Sequence, residues 1–241
     1  MQESGNDTHD SSDTISNEIK SDTFKFYHIE EHELDTIIEP NTPDSLDLSV
    51  HQVFIDTTRS SRFYDDITNW EPHEFDIQGV DFYLNEIESK FGESFVDLNQ
   101  FPREWIEIHK LGNRYVAHNP LDGIDARYLL TNKSINYYSI ESDADVLRKI
   151  ISLSDNKLIA ELNTIVQKSD NQVLYLKIEK TNIPYLYMKQ VSSSVDFDID
   201  TFICLVTPLE HLDKFDLVVD HSPIFLPSLV RFDRINIDDY K

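Results

Sequence analysis

Short runs of hydrophobic residues occupy the second half of the chain, and a few turn-forming residues separate each run from the next. In the clearest run, Leu174, Leu176 and Ile178 alternate with polar or amphipathic residues, which is the period of a β-strand with one buried face. Pairs of such runs joined by short turns are typical of β-hairpins. We predict strands at residues 105–108, 115–117, 126–131, 135–140, 147–153, 158–162, 173–178, 185–188, 202–206, 217–219 and 224–232.

A series of this length constrains the fold. Eight or more consecutive antiparallel strands leave open edges unless the sheet closes on itself or stacks on a second sheet. Helices and strands do not alternate along the chain, which argues against a doubly wound fold. The pattern therefore predicts an α+β protein, mainly antiparallel β, in which residues 101–241 form an up-and-down meander as a barrel or a two-sheet sandwich.

The first hundred residues follow a different pattern. Residues 1–22 are almost all polar and cannot bury enough apolar area to become ordered, so we predict a disordered tail there. Residues 23–100 form an acidic region packed on or beside the meander. Within it, apolar residues at helical spacing predict a helix at about residues 80–91, ended by Gly92.

Charge separates the same two regions. The formal net charge is −24, of which −19 falls in residues 1–100 and −5 in the remainder. This balance argues against nucleic acid as a partner, because phosphate backbones require a basic surface. A strongly acidic region attracts a basic protein, although a solvated acidic face explains the same charge.

Residues 63–75 combine aromatic and acidic side chains, as binding surfaces often do. We therefore expect a non-enzymatic protein of the immunity type, which would neutralise a basic toxin or effector by covering its active surface. The alternative for this segment is that its aromatic residues fix a loop to the core. The candidate partner-binding residues are Tyr64, Asp65, Asp66, Trp70, Glu71 and Glu74.

The start of the meander resembles the opening hairpin of uncharacterised lipocalin-like bacterial proteins. The residues that carry the resemblance are Trp105, Gly112, Tyr115 and the pair Asn119-Pro120, while Arg103 stands where true lipocalins carry glycine. The resemblance implies a closed or nearly closed β-meander and no catalytic residues. Together with the polar tail, it suggests an alternative function as a lipid-tethered lipoprotein that binds a small apolar ligand, with Met1 replacing an acylated cysteine.

Catalytic and metal-binding patterns are weak. Residues 28–32 fit the inverted zincin pattern H-x-x-E-H but lie in a strand-like and loop-like context. Cys204 lies within an apolar run, where a thiol acts as a small hydrophobe. We expect no enzyme activity, cofactor or metal site, and no transmembrane segment. The location is cytoplasmic by default, or periplasmic or outer-membrane if the tail is a lipid tether.

Overall fold

The computed structural model describes residues 52–120, 126–139, 141–165, 173–198, 201–221 and 230–241. The tail predicted at residues 1–22, the region from 23 to 51 and most of the strand predicted at 224–232 lie outside these ranges. The helices are α1 (Arg62–Thr68) and α2 (Glu74–Phe91). The strands are β1 (Gln52–Asp56), β2 (Glu104–Leu111), β3 (Arg114–Asn119), β4 (Arg127–Leu130), β5 (Ser134–Tyr138), β6 (Asp143–Ser154), β7 (Lys157–Asn163), β8 (Leu174–Lys180), β9 (Tyr187–Ser192), β10 (Phe202–Pro208) and β11 (Asp216–His221).

Eight of these strands close into a barrel. β4 to β10 pair in sequence order as antiparallel neighbours, and β2 pairs with both β10 and β4. The closing pair places Trp105 opposite Tyr128. The predicted antiparallel meander is therefore confirmed, and it forms a barrel instead of a two-sheet sandwich.

Curvature is concentrated in β6, the longest strand. Its pairing with β7 shifts register between Leu147 and Lys149 and again between Ile150 and Ser152. Each shift leaves one β6 residue without an opposite partner, which bends the strand and increases its twist. These two irregularities allow a sheet of short strands to close.

Three further strands extend the sheet beyond the barrel. β3 pairs with the second half of β2, β11 pairs with β3, and β1 forms the outer edge on β11. The β11–β3 pair is parallel, so the sheet is mainly antiparallel, as predicted, with one parallel pair. Short-turn patterns reveal only strands that are consecutive in sequence, whereas a parallel pair joins strands that are distant in sequence.

The predicted helix is present and begins earlier than expected. α2 starts at Glu74 because the side chain of Asp76 accepts a hydrogen bond from the backbone N–H of His73. In the first turn of α2, the apolar residues Phe75 and Ile77 are exposed to solvent. Because they do not lie on the buried face of the helix, the helical spacing of apolar residues did not indicate this turn. Gly92 ends the helix at a φ of 82°, a conformation that favours glycine. α1 was not predicted.

The segment between α2 and β2 closes one end of the barrel. The backbone N–H of Val96 bonds the carbonyl of Asn132 at 2.7 Å, and Leu98 is fully buried in the barrel core. Phe101 packs on Trp105, with ring centroids 5.5 Å apart. Residues 93–100 therefore share a core with the barrel, although they belong to the acidic first hundred residues.

A second core lies outside the barrel. The outer faces of β2 and β10 pack there against β1, β11, α1 and the chain end, where Tyr240 is buried. α2 covers the outside of β5 and β6 through Val80, which packs with Tyr138 and Ala144. No helix within the described ranges is long and apolar enough to cross a membrane.

Replacing Leu98 by alanine tests the role of the closing segment. We expect the free energy of unfolding to fall by about 3 kcal/mol, since a fully buried leucine is lost from the core. Phe95→Ala is the control in the same segment, because Phe95 is 71% exposed; it should change stability by less than about 0.5 kcal/mol. Urea unfolding measures both values, and equal effects of the two changes would contradict this account.

Candidate ligand-binding site

The end of the barrel opposite the closing segment holds a cavity of about 530 Å³. Inward-facing residues of five strands line the inner part of the cavity, and Tyr83 of α2 lines one side. The inward-facing residues that line it are Tyr128, Tyr137, Asp143, Asp145, Lys189, Val191 and Phe202. The cavity therefore combines aromatic walls with charges of both signs.

Lys189 is the most unusual of these residues because a lysine is rarely buried without an ion pair. It is 2% exposed, and its Nζ lies 4.1 Å from the ring centroid of Tyr128 and 5.1 Å from that of Tyr137. Phe202 completes the surroundings at 5.3 Å. Over the described ranges, no ion pair or hydrogen bond joins this Nζ to another residue.

The alternation of β9 places the lysine inside. Tyr187 packs in the barrel core and Val191 against it, whereas Met188 belongs to the core outside the barrel. Because alternate residues of a strand face the same side, the side chain of Lys189 points into the barrel, like those of Tyr187 and Val191. The three aromatic rings stabilise its charge through cation–π contacts, each worth up to about 2 kcal/mol where water is excluded.

Two carboxylates on β6 line the same cavity. Tyr137 Oη donates a hydrogen bond of 3.0 Å to Asp145 Oδ2, and the Thr164 hydroxyl bonds the same carboxylate. Burial raises the pKa of Asp145 to about 6, against the opposing effect of these hydrogen bonds and of the Lys189 charge. Burial also raises the pKa of Asp143, which Lys189 lowers in part.

The cavity tyrosines are held as neutral hydrogen-bond donors. Burial raises the pKa of both Tyr128 and Tyr137 well above the usual value, with a smaller contribution from nearby acidic groups. Tyr128 Oη lies 3.1 Å from Glu107 Oε2, to which it donates, and 3.7 Å from Cys204 Sγ. Cys204 itself is buried, as its apolar run predicted.

The predicted partner-binding residues lie elsewhere, on and after α1. Asp65, Asp66, Glu71 and Glu74 are exposed to solvent. Tyr64 is instead buried, and its hydroxyl donates a hydrogen bond to the backbone carbonyl of Phe215. The structure thus gives Tyr64 a place in the core and leaves four carboxylates on the surface.

Trp70 is half-buried and fixes the α1–α2 connection to the barrel. Its ring lies 5.4 Å from that of Tyr138, and the Arg127 guanidinium stacks over it at 4.9 Å from the centroid. Arg127 also donates to the carbonyl of Ile67. For Trp70, these contacts agree with the alternative interpretation, in which an aromatic side chain fixes this segment to the core.

Sequence reasoning missed Lys189 and the β6 carboxylates as site residues. A signal was present, since Lys189 follows three apolar residues and Asp143 and Asp145 share one face of a strand. Closure of the barrel brings these distant strands around one cavity, and the local patterns did not specify which faces point inward.

The rest of the described surface offers weaker candidates for a binding site. A groove of about 630 Å³ at the closed end is lined by Arg103, Glu104 and Glu210, but each of these charged residues is at least partly exposed. In the described part of the chain, no group of three or more His, Cys, Asp or Glu residues could hold a metal ion. The open cavity differs in that a buried lysine faces it without an ion pair among the described residues.

Comparison with known proteins adds no relative to this description. No protein-family model matches the chain, and no curated protein or solved structure matches it. The fold is a closed eight-stranded β-barrel with a three-stranded extension. The resemblance to lipocalin-like proteins stays a prediction.

Asp145→Asn tests the charge inside the cavity through the pH dependence of stability. In the folded state the Asp145 pKa is about 6, whereas an unfolded aspartate ionises near 3.8. Between these values the folded state retains a proton that the unfolded state has lost, so this group destabilises the protein increasingly as the pH rises.

The variant cannot ionise at this position and should gain stability over the parent by about 2 to 3 kcal/mol between pH 4 and pH 7. Chemical unfolding at several pH values measures the difference. Asp66→Asn, which removes an exposed carboxylate on α1, is the control for the loss of one acidic group. A difference for Asp145→Asn that does not grow with pH would contradict this account.

Proposed function

We propose that the protein binds a small organic molecule in the open end of its barrel. The observation that carries this proposal is the deeply buried Lys189 ammonium, which faces a cavity of about 530 Å³ without an acceptor among the described residues. Ligand cavities commonly have this size, apolar or aromatic walls and a few polar groups that orient the ligand.

The construction of the barrel supports a binding role over a catalytic one. One end is packed by Leu98, Phe101 and Trp105, and the cavity lies at the other end. The polar groups at the opening are tyrosines with high pKa values, two carboxylates and one lysine. They offer hydrogen bonds and charges that can orient a bound molecule.

Blocking the opening tests the proposal. The uncharged fluorescent probe N-phenyl-1-naphthylamine should bind the parent protein in a 1:1 ratio with a micromolar dissociation constant. Val191→Trp places a large ring in the cavity and should weaken binding at least tenfold. Tyr175→Trp is the control, because Tyr175 lies on the outer face of β8. Equal binding of the probe by both variants would contradict the proposal, as would a parent protein that binds neither this probe nor an amino acid such as phenylalanine.

An immunity-type interaction with a basic protein is a second candidate, favoured by the outer face of α2. Phe75 and Phe82 are 82% and 57% exposed and lie seven residues apart, which places both on one side of the helix. The same helix carries exposed carboxylates at Glu74, Asp81 and Glu86. Exposed aromatic residues with carboxylates around them suit a partner that presents apolar residues among lysines or arginines.

This candidate is tested with a basic protein encoded beside the gene, after co-expression and isolation of the complex. The double change Phe75→Ser and Phe82→Ser should accelerate dissociation at least tenfold. The double change Asp65→Asn and Asp66→Asn should mainly slow association and weaken its dependence on salt.

Ile151→Ser, at an exposed apolar residue on β6, is the matched control and should leave both rates unchanged. Melting temperatures separate binding from folding. Failure of any neighbouring basic protein to form a complex, or rates unchanged in the α2 variant, would rule out this face as the interface.

A further inference from the structure

The charges in the barrel cavity face one another without pairing. Lys189 lies on β9 and the two carboxylates lie on β6, three strands further around the barrel. The Lys189 charge lowers the pKa of both Asp143 and Asp145, so the groups are electrostatically coupled. No ion pair joins them, which means that the oxygen atoms lie more than 4.0 Å from Nζ.

Each charged site lacks one partner. The Lys189 ammonium has three donors and touches three aromatic rings, which offer no strong hydrogen-bond acceptor. Asp145 accepts hydrogen bonds from Tyr137 and Thr164 but has no cation beside it among the described residues. A buried charge without a direct partner is costly, so both sites favour a ligand that completes them.

The charged residues that line the cavity indicate which charges a ligand should carry. A simple anion placed on Lys189 meets the field of Asp143 and Asp145, with Glu141 at the rim adding to it. A simple cation placed on the carboxylates meets the field of the Lys189 ammonium. Arg127 also lines the cavity, but its guanidinium is held by the Trp70 ring and the Ile67 carbonyl. A molecule with both charges avoids both repulsions.

Resting on the proposed function, we propose that the ligand is a small zwitterion, with its acidic group on Lys189 and its ammonium group on Asp143 and Asp145. The rings of Tyr128 and Phe202 and the side chain of Val191 provide an apolar wall for the rest of the molecule. An amino acid with an aromatic side chain has the required charges and fits within the cavity volume.

Three probes of one shape separate the charges: phenylalanine carries both, 3-phenylpropionate carries the acid alone, and phenethylamine carries the amine alone. Calorimetric titration of the full chain at pH 7.5 should show phenylalanine binding at least tenfold more tightly than either analogue. At this pH the Asp145 carboxylate is ionised, since its pKa is about 6.

Two variants test which cavity residues bind the acidic group of the ligand and which bind its ammonium group. Lys189→Met should reduce phenylalanine affinity to that of phenethylamine, while the double change Asp143→Asn and Asp145→Asn should reduce it to that of 3-phenylpropionate. Lys189→Met should retain or raise the melting temperature, because it removes the desolvation cost of a buried charge. Lys177→Met is the control, since Lys177 pairs with Glu179 at 2.7 Å outside the barrel.

The outcomes separate this inference from the proposed function. If either single-charge analogue binds as tightly as phenylalanine, or if Lys189→Met leaves phenylalanine affinity unchanged, the zwitterion is wrong. If N-phenyl-1-naphthylamine binds and phenylalanine does not, the inference fails and the binding cavity stands. If neither probe binds the parent protein, the proposed function fails as well.

Discussion

The division of β2 between two neighbours is the constraint on which the rest of the structure depends. Its first half pairs with β4 and closes the barrel, and its second half pairs with β3 and carries the three-stranded extension. Because β10 occupies the opposite edge of the same strand, β2 links every part of the sheet. Its alternating residues serve both cores, with Trp105 inside the barrel and Ile106 in the core outside it.

Closure divides the barrel interior into two ends with different chemistry. At one end, Leu98 and Phe101 pack on Trp105 and exclude water from an apolar core. At the other, Lys189 and Asp145 lie among tyrosine side chains around a cavity. The apolar end contributes the burial that stabilises the fold, and this stability allows the open end to hold charges that cost free energy. A cavity that destabilises the chain in this way is typical of a binding site.

Local patterns predicted the strands, the hairpins and α2, because alternation and helical spacing are properties of short segments. They also limited the fold to a barrel or a sandwich through the cost of open edges. The parallel pairing of β11 with β3 was missed, since it joins residues about a hundred positions apart. Lys189 and Asp145 were missed for the same reason, because their place in the cavity depends on which strand faces point inward. The composition of its segment predicted that Tyr64 lies on a binding surface. The structure instead places Tyr64 in the core.

The central claim is that the open end of the barrel is a ligand site in the native protein. The most direct test is native mass spectrometry of the full chain purified from its own cells, followed by denaturation and identification of any released molecule. We expect one small molecule per chain in the parent protein and none in Val191→Trp expressed in the same cells. A parent protein that carries the mass of the chain alone, or a Val191→Trp variant that carries the same molecule, would contradict the account.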